Sequence, residues 1–284
     1  MTEKGICSTI NREGDGLKRN VFLEEKLKML LDHCSFFEHA ICYDVLDSTN
    51  DMAKELASLG APEGTVVLAE HQTKGRGRMG RCFFSPKHHG LYMSLVLRPS
   101  STTFDPGRLT ACAAVAVYQA LLELFHLSVS IKWVNDLYVG EKKLCGILAE
   151  GHVSPKQSET YVVMGIGLNL TSPTEGYPEE LKGKVTSVCE AMGSIESLDV
   201  TKVCASIIRN WGELYLRMPD KAFLDTYRSA SCVLGKNISY CKEGKRFTGT
   251  ALSIDDDARL VIQSDLGEKI VLSSGEVNFV RPVL

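Results

Sequence analysis

The sequence predicts an α/β (α+β) domain built on a mixed sheet, followed by a small all-β barrel. Three observations carry this expectation. From about residue 39 to 230, apolar strand-like runs alternate with helical periods. The short connections between strand candidates within 129–165 point to antiparallel or mixed pairing rather than βαβ crossovers. From Val233 onward the texture changes to short alternating runs split by turn residues, which fits a barrel of about 50 residues.

Taken in chain order, a polar leader precedes one helix, Phe22 to His33, too little for an independent domain. Asp47-Ser48-Thr49-Asn50-Asp51 opens a second helix. Ser48 with Asp51 three residues on has the capping-box pattern, and Gly60 is a natural stop. Strands Thr65–Ala69 and Leu91–Leu97 flank a polar, glycine-rich segment, and a long apolar helix runs from about Arg108 to His126. Strands Val129–Val134, Leu144–Glu150 and Tyr161–Gly165 follow, and helices from about Val200 to Arg217 and Lys221 to Arg228 close the larger domain. Asn237–Tyr240, Arg246–Gly249, Arg259–Gln263 and Lys269–Leu272 are the barrel strands. The expected division is an extension over 1–38, a catalytic domain over 39–231 and the barrel over 232–284.

Composition narrows the class. A chain of 284 residues, 44% hydrophobic and 24% charged, is long enough for one large domain plus a small one. It has no uninterrupted apolar run of about 18 residues, so no membrane partner is expected. Met1 to Arg19 lacks the apolar core of a signal peptide. The ten cysteines are scattered, with no C-x-x-C and no Cys/His pair at ligand spacing. Cys112 and Cys145 lie in apolar segments and read as small buried hydrophobes. Reduced thiols in a cytoplasmic protein, with no protein-held metal, is the expectation.

Function is most legible in Gly75-Arg76-Gly77-Arg78-Met79-Gly80-Arg81. Glycine lets backbone approach a ligand closely, and arginine supplies a permanently charged fork for phosphate or carboxylate oxygens. No Asp or Glu occurs from His71 to Phe104, while Lys74, Arg76, Arg78, Arg81, Lys87 and Arg98 are cationic. On a chain of net charge −3 this is a local anion trap. Gly75 to Gly80 formally matches G-x-G-x-x-G, but Pro86 and the absence of a helical period after it disfavour a dinucleotide fingerprint. An RGG-like nucleic-acid arm would sit in a low-complexity tract, and none is present. A mobile phosphate- or adenylate-gripping loop fits best, with self-repelling charges that a ligand would gather.

Two further constellations follow. Lys132-Trp133-Val134-Asn135-Asp136 and Lys143 to Glu150 are joined by a turn around Gly140-Glu141. Such a hairpin places Lys132, Asn135, Asp136 and Lys143 near one end of a sheet, in reach of one ligand. The alternative is that Asn and Asp cap the turn while the lysines are solvated. In Gly165-Ile166-Gly167-Leu168-Asn169, the glycines permit close approach and Asn169 can read a base or carboxamide; the alternative is a strand-end bulge.

In this order the motifs resemble the biotin protein ligase family (biotin–[acetyl-CoA-carboxylase] ligases), over roughly residues 45 to 284. The resemblance implies a biotin/lipoate ligase-like catalytic domain on a mixed sheet with an SH3-like barrel behind it. It implies activation of biotin by ATP, with Mg²⁺ on the phosphates, to biotinyl-5′-AMP and pyrophosphate. Transfer follows to a lysine of a biotin carboxyl carrier protein or domain of a carboxylase such as acetyl-CoA carboxylase. Ser48, Thr49 and Asn50 match the family's biotin-contacting segment, and Gln72, Arg76, Gly77 and Arg78 match positions that bind biotin and its adenylate. Lys143 matches the lysine that engages the biotin carboxylate and α-phosphate; with Arg76 and Arg78 it would supply the catalytic charge. Gly146 falls in the biotin site, and Arg81, Phe83, Lys132, Asn135, Asp136 and Asn169 fall in motifs bordering the nucleotide. Two positions depart from the pattern: Val134 where proline is common, and Phe83 where a larger aromatic often covers the ligand. Some members carry an N-terminal helix-turn-helix. Only one helix is predicted before Ile41, so no DNA partner is expected, and the chain is expected to be a monomer or homodimer.

Overall fold

A computed structural model of the chain describes residues 17–99, 105–153, 160–193, 198–242 and 245–280. Most of the polar leader lies outside the described residues. The elements in order are α1 (Val21–Leu30), β1 (His39–Leu46), α2 (Thr49–Ser58), β2 (Thr65–Gln72), β3 (Gly90–Leu97), α3 (Pro106–Phe125), β4 (Ser130–Lys132) and β5 (Asp136–Val139). Then come β6 (Lys142–His152), β7 (Tyr161–Asn169), α4 (Val188–Met192), α5 (Val200–Leu216), α6 (Phe223–Ser229) and the strands β8 (Asn237–Lys242), β9 (Lys245–Ile254), β10 (Leu260–Ser264), β11 (Lys269–Leu272) and β12 (Val277–Phe279).

The large sheet has the order β1-β2-β3-β7-β6-β5-β4. Only β1 and β2, joined through α2, run parallel; the other neighbours are antiparallel, so the sheet is mixed as expected. Alternation along each strand sorts side chains between two cores. Leu91, Met93, Leu95 and Leu97 of β3 face the main core with α3 and α5, while Val96 joins Ile41, Val67 and Val163 under α2. Helix α3 starts where Asp105 accepts a hydrogen bond from the Arg108 amide at 2.8 Å, with Pro106 in the first turn. It stops at His126 in the left-handed region. By length and composition α3 could cross a membrane, but it is the buried central helix of this core.

Several expectations need correction. β1 is a strand the sequence pattern does not mark, and the strand expected at Val129–Val134 is only Ser130–Lys132. The chain turns at Trp133–Asn135 and returns as β5, with Lys132 opposite Asp136. The expected turn at Gly140 then leads into β6. The capping box does not form either. Ser48 makes no side-chain cap bond, and the Asp51 carboxylate is engaged by Arg76 and Lys54, whose full charges outcompete a neutral backbone amide. Helix α1 ends earlier than expected, and α6 begins later.

Leu27 and Leu31 of the α1 segment are buried in the main core. Glu24 accepts the Cys42 amide at 2.9 Å, and Lys26 pairs with Asp199, the N-cap of α5, at 2.9 Å. The helix is therefore a layer of the larger domain. The C-terminal sheet, order β11-β10-β9-β8-β12, is fully antiparallel. It meets the larger domain through Trp133 Nε1, which donates to Ala258 O at 2.9 Å, and Arg228, which donates to Ile254 O at 2.8 Å.

Candidate active site

The floor of the site is made by what β6 and β7 leave out. Gly146 sits opposite Gly167, and Gly167 and Gly165 sit opposite Tyr92 and Ser94 of β3. A Cβ at Gly165 would lie 2.2 Å from Asn50 Oδ1, and one at Gly167 would lie 2.6 Å from the Phe83 ring. The pairing is regular here, so these glycines admit side chains from above; they do not mark a bulge.

The first turn of α2 forms one wall, with Ser48, Thr49 and Asn50 buried. The Thr49 amide and hydroxyl donate to Gln72 Oε1 at 2.9 and 3.1 Å, and Gln72 Nε2 donates to Ser85 Oγ at 2.9 Å. Ser94 Oγ lies 2.6 Å from Asn50 Oδ1 and 2.8 Å from Thr49 Oγ1. Asn50 Nδ2 donates to Glu150 Oε2 at 2.8 Å. Sequence reasoning missed Ser94 and Glu150. The available signal for Ser94 was a serine hydroxyl in a largely apolar strand, which must find partners when buried.

The glycine/arginine loop closes the other side. It is a folded hairpin: Gly77 N donates to Arg81 O at 2.7 Å, Phe83 N donates to Gly75 O at 2.9 Å, and Met79 takes a left-handed conformation at the tip. The expected self-repulsion is absent because remote carboxylates neutralise the loop. Lys74 pairs with Asp47 at 2.8 Å, and Arg76 with Asp51 at 2.6 Å and Glu150 at 2.7 Å. Arg81 pairs with Glu276, just before β12 in the C-terminal unit, and its hydrogen bonds hold that carboxyl below the usual range. Two of the expected trap residues are elsewhere: Lys87 lies 3.9 Å from Glu70, and Arg98 donates to Ala57 O and Ala61 O behind α2. Arg78 differs from its neighbours. Among the described residues it has no carboxylate partner; it donates to Asn135 Oδ1 at 2.9 Å and Gly275 O at 3.1 Å.

Lys143 completes the site from β6. Its backbone is clamped by Lys184 O and the Thr186 amide, and its Nζ lies 2.8 Å from Asp136. Asn135 Nδ2 donates to Asp136 Oδ1 and Ile147 O, both at 2.9 Å. One cavity is lined by Ser48, Thr49, Asn50, Gln72, Arg76, Gly77, Arg78, Phe83, Asn135, Lys143 and Gly146. Four expected residues lie outside it. Arg81 faces Glu276, Asp136 sits behind Lys143, and Asn169 donates to Thr186 O at 3.0 Å. Lys132 lies against the Tyr138 and Phe279 rings, 3.4 Å from Asn278. The open space is about 50 Å³, whereas small-molecule sites take a few hundred. Phe83 and the loop occupy the volume a ligand needs, so they must move to admit one.

The family model for the biotin/lipoate A/B protein ligase family matches residues 42–169, and that for the biotin protein ligase C-terminal domain matches 233–280. The bifunctional ligase/repressor BirA of Bacillus subtilis is 36% identical over 240 residues, covering 84% of this chain and 73% of that protein. The chain belongs to the biotin/lipoate A/B protein ligase family. The biotin–[acetyl-CoA-carboxylase] ligase of Mycobacterium tuberculosis is 29% identical, over 82% of this chain and 86% of that one. Among solved structures, the biotin protein ligase of Aquifex aeolicus in complex with biotin and ATP superposes with a TM-score of 0.73. It is 28% identical and covers 86% of this chain and 100% of that one. The fold is thus that of the biotin protein ligases, and the C-terminal sheet is their small barrel.

The remaining chemistry of the site suits such a ligase. Burial pushes the Cys145 thiol, two residues after Lys143, well up, which disfavours its thiolate. Among the described residues no three His, Cys, Asp or Glu side chains are grouped to hold a metal. Mg²⁺ in ATP-using sites is held mainly by phosphates and water with one or two carboxylates. Asp136 is the nearby carboxylate, but its Oδ1 is taken by Lys143 and Asn135 and it stands behind Lys143, so the protein residues here do not by themselves form a metal donor set.

Proposed function

We propose that this chain is an ATP-dependent biotin protein ligase. It activates biotin as biotinyl-5′-AMP with release of pyrophosphate and transfers it to a lysine of the biotin carboxyl carrier domain of a carboxylase. The observation that carries the assignment is one cavity with two chemically different ends. At one end, the buried Ser48, Thr49 and Asn50 and the half-buried Gln72 offer donors and acceptors suited to a ureido ring. At the other stand Lys143 and Arg78, the loop cation with no carboxylate partner among the described residues.

The mechanism follows from that polarity. The loop lifts, taking Phe83 off the glycine floor, and biotin enters with its ureido group against the α2 wall and its carboxylate toward Lys143. A carboxylate oxygen attacks the α-phosphorus of ATP, and the bond from that phosphorus to the bridging oxygen of the β-phosphate breaks to release pyrophosphate. Two anions meet and charge spreads over oxygens, so the fixed charges of Lys143 and Arg78 stabilise the transition state. Mg²⁺ bound to the phosphates would supply further neutralising charge there. With the loop back in place, Phe83 and the loop backbone keep water from the mixed anhydride. The carrier lysine amine then attacks the acyl carbon, forming the amide, losing a proton and releasing AMP.

Residues 39–231, with α1 packed into their core, form the catalytic domain in this reading, and 232–284 form the barrel that steadies the loop through Glu276 and Gly275. The cysteines among the described residues are all free thiols, which supports a reducing, cytoplasmic setting. The helix before β1 is committed to the core, which supports a ligase that does not use it to read DNA. Incubation with biotin, Mg-ATP and a carrier domain tests the assignment. A biotin-sized mass increase on one carrier lysine is expected, and its absence under conditions that modify the carrier with a known ligase would overturn it.

A further inference from the structure

Glu150 lies on β6 beyond the reach of β5, with its side chain about one-fifth exposed. Its two oxygens have different partners. Oε2 accepts from Asn50 Nδ2 at 2.8 Å. Oε1 accepts from Arg76 at 2.7 Å and from Lys54 at 3.0 Å. Asp51 also grips Arg76 and Lys54, at 2.6 and 3.1 Å, but among the described residues it has no bond to the Asn50 amide. One carboxylate therefore joins the wall of the cavity to its lid.

The Asn50 side chain has a donor end and an acceptor end, and the ligand meets whichever way round they are held. At the acceptor end is Ser94, whose hydroxyl can donate or accept and so does not choose. At the donor end are the Glu150 carboxylate, which also takes Arg76 and Lys54, and at 3.4 Å the carbonyl of Leu148. The two acceptors at Nδ2, Glu150 at 2.8 Å and the longer Leu148 O at 3.4 Å, dictate that Nδ2 faces them and Oδ1 faces Gly165 and Ser94, and Glu150 is the shorter and charged one of the two.

We infer that Glu150 is a positioning residue that sets the orientation of the Asn50 amide for biotin and, through Arg76, couples that orientation to docking of the loop. The inference rests on the reading of this cavity as the biotin site. It assigns Glu150 a role in biotin affinity and lid position, without contact with the reacting atoms.

Glu150→Gln separates this role from packing, because the shape is kept while the charge and the acceptor-only character are lost. Asp51→Asn loosens Arg76 and leaves Asn50 alone. Biotin affinity is measured by calorimetry without nucleotide, loop docking by trypsin cleavage after Arg76 and Arg78, and integrity by thermal melting and the KM for ATP. Glu150→Gln is expected to weaken biotin about tenfold, the scale of a hydrogen bond to a charged acceptor, and to speed loop cleavage. Asp51→Asn is expected to speed cleavage while weakening biotin by less than about threefold, because the pair it removes is solvent-exposed. Unchanged biotin affinity in Glu150→Gln would overturn the inference. So would equal weakening by Asp51→Asn, or a loss shared with the ATP KM and the melting temperature. Failure of the unmodified protein to bind biotin would overturn the site assignment itself, and the inference with it.

Discussion

Adding one methyl group at Gly165 tests the construction of the biotin wall. The new Cβ would lie 2.2 Å from Asn50 Oδ1 and 2.9 Å from its Cγ, distances at which something must shift. Asn50 has little freedom to give way, since Ser94 holds Oδ1 at 2.6 Å and Glu150 holds Nδ2 at 2.8 Å. Displacing it costs about 1–3 kcal/mol in overpacking and about 1 kcal/mol for each buried hydrogen bond lost. Because biotin needs the amide in its native position, binding must then bear a sum of about 3 kcal/mol, which corresponds to about a hundredfold loss of biotin affinity. Gly167→Ala is the matched control. Its Cβ would meet the Phe83 ring at 2.6–2.9 Å, but that ring sits on a loop that has to move for ligand entry in any case. Biotin affinity should then fall by less than about tenfold, while trypsin cleaves the loop faster. Calorimetric titration of both variants with biotin, without nucleotide, makes the comparison. Near-normal biotin binding by Gly165→Ala, or an equal loss in Gly167→Ala, would refute the assignment of the α2 wall as the ureido end.

Three other outcomes are expected. Lys143→Ala should lower biotin-dependent pyrophosphate release by at least about a hundredfold, the scale of losing one fixed charge at a developing oxyanion; near-normal release would remove Lys143 from its role. Lipoate lacks the ureido group and would leave buried polar groups on the wall unpaired, at about 1–3 kcal/mol each, so comparable turnover of lipoate and biotin would contradict the substrate assignment. Asp199, the N-cap of α5, is partly buried, which opposes ionisation. Hydrogen bonds from Thr201 and Lys26 outweigh that and hold its carboxyl at about 2. A depressed folded value means that the stabilisation is complete above the unfolded carboxyl value near 3.9 and is lost as pH falls through about 2. Denaturant unfolding of wild type and Asp199→Asn should therefore differ near neutrality and converge toward pH 2, and a constant gap across that range would disprove the account.

Much of the fold was legible because periodicity and turn chemistry are local properties. The apolar period of α3, the alternation of the barrel strands and the turn at Gly140 can all be seen without knowing what lies opposite. The short β4–β5 reversal was not legible, because Val134 extends an apolar run that looks like one strand and only pairing of Lys132 with Asp136 reveals the turn. The capping box failed for a related reason: its sequence pattern is local, but the competitor for Asp51, Arg76, arrives from another element.

The same division runs through the site. Sequence by itself determined which chemistry is present: the arginines and glycines of the loop, Lys143 in its hairpin, the polar turn at Ser48–Asn50 and the glycines of β7. The anion trap looked wholly cationic along the chain, since no acidic residue occurs from His71 to Phe104. Only the tertiary structure brings Asp51, Glu150 and Glu276 to that loop, sends Arg98 and Lys87 elsewhere and, among the described residues, gives Arg78 no carboxylate partner. It alone places Ser94 and Glu150 around Asn50. Residue identity sets what a group can donate, accept or carry, but charges and hydrogen bonds act over a few ångströms in space. Which partner each group meets is therefore decided by the packing of strands that are distant in sequence.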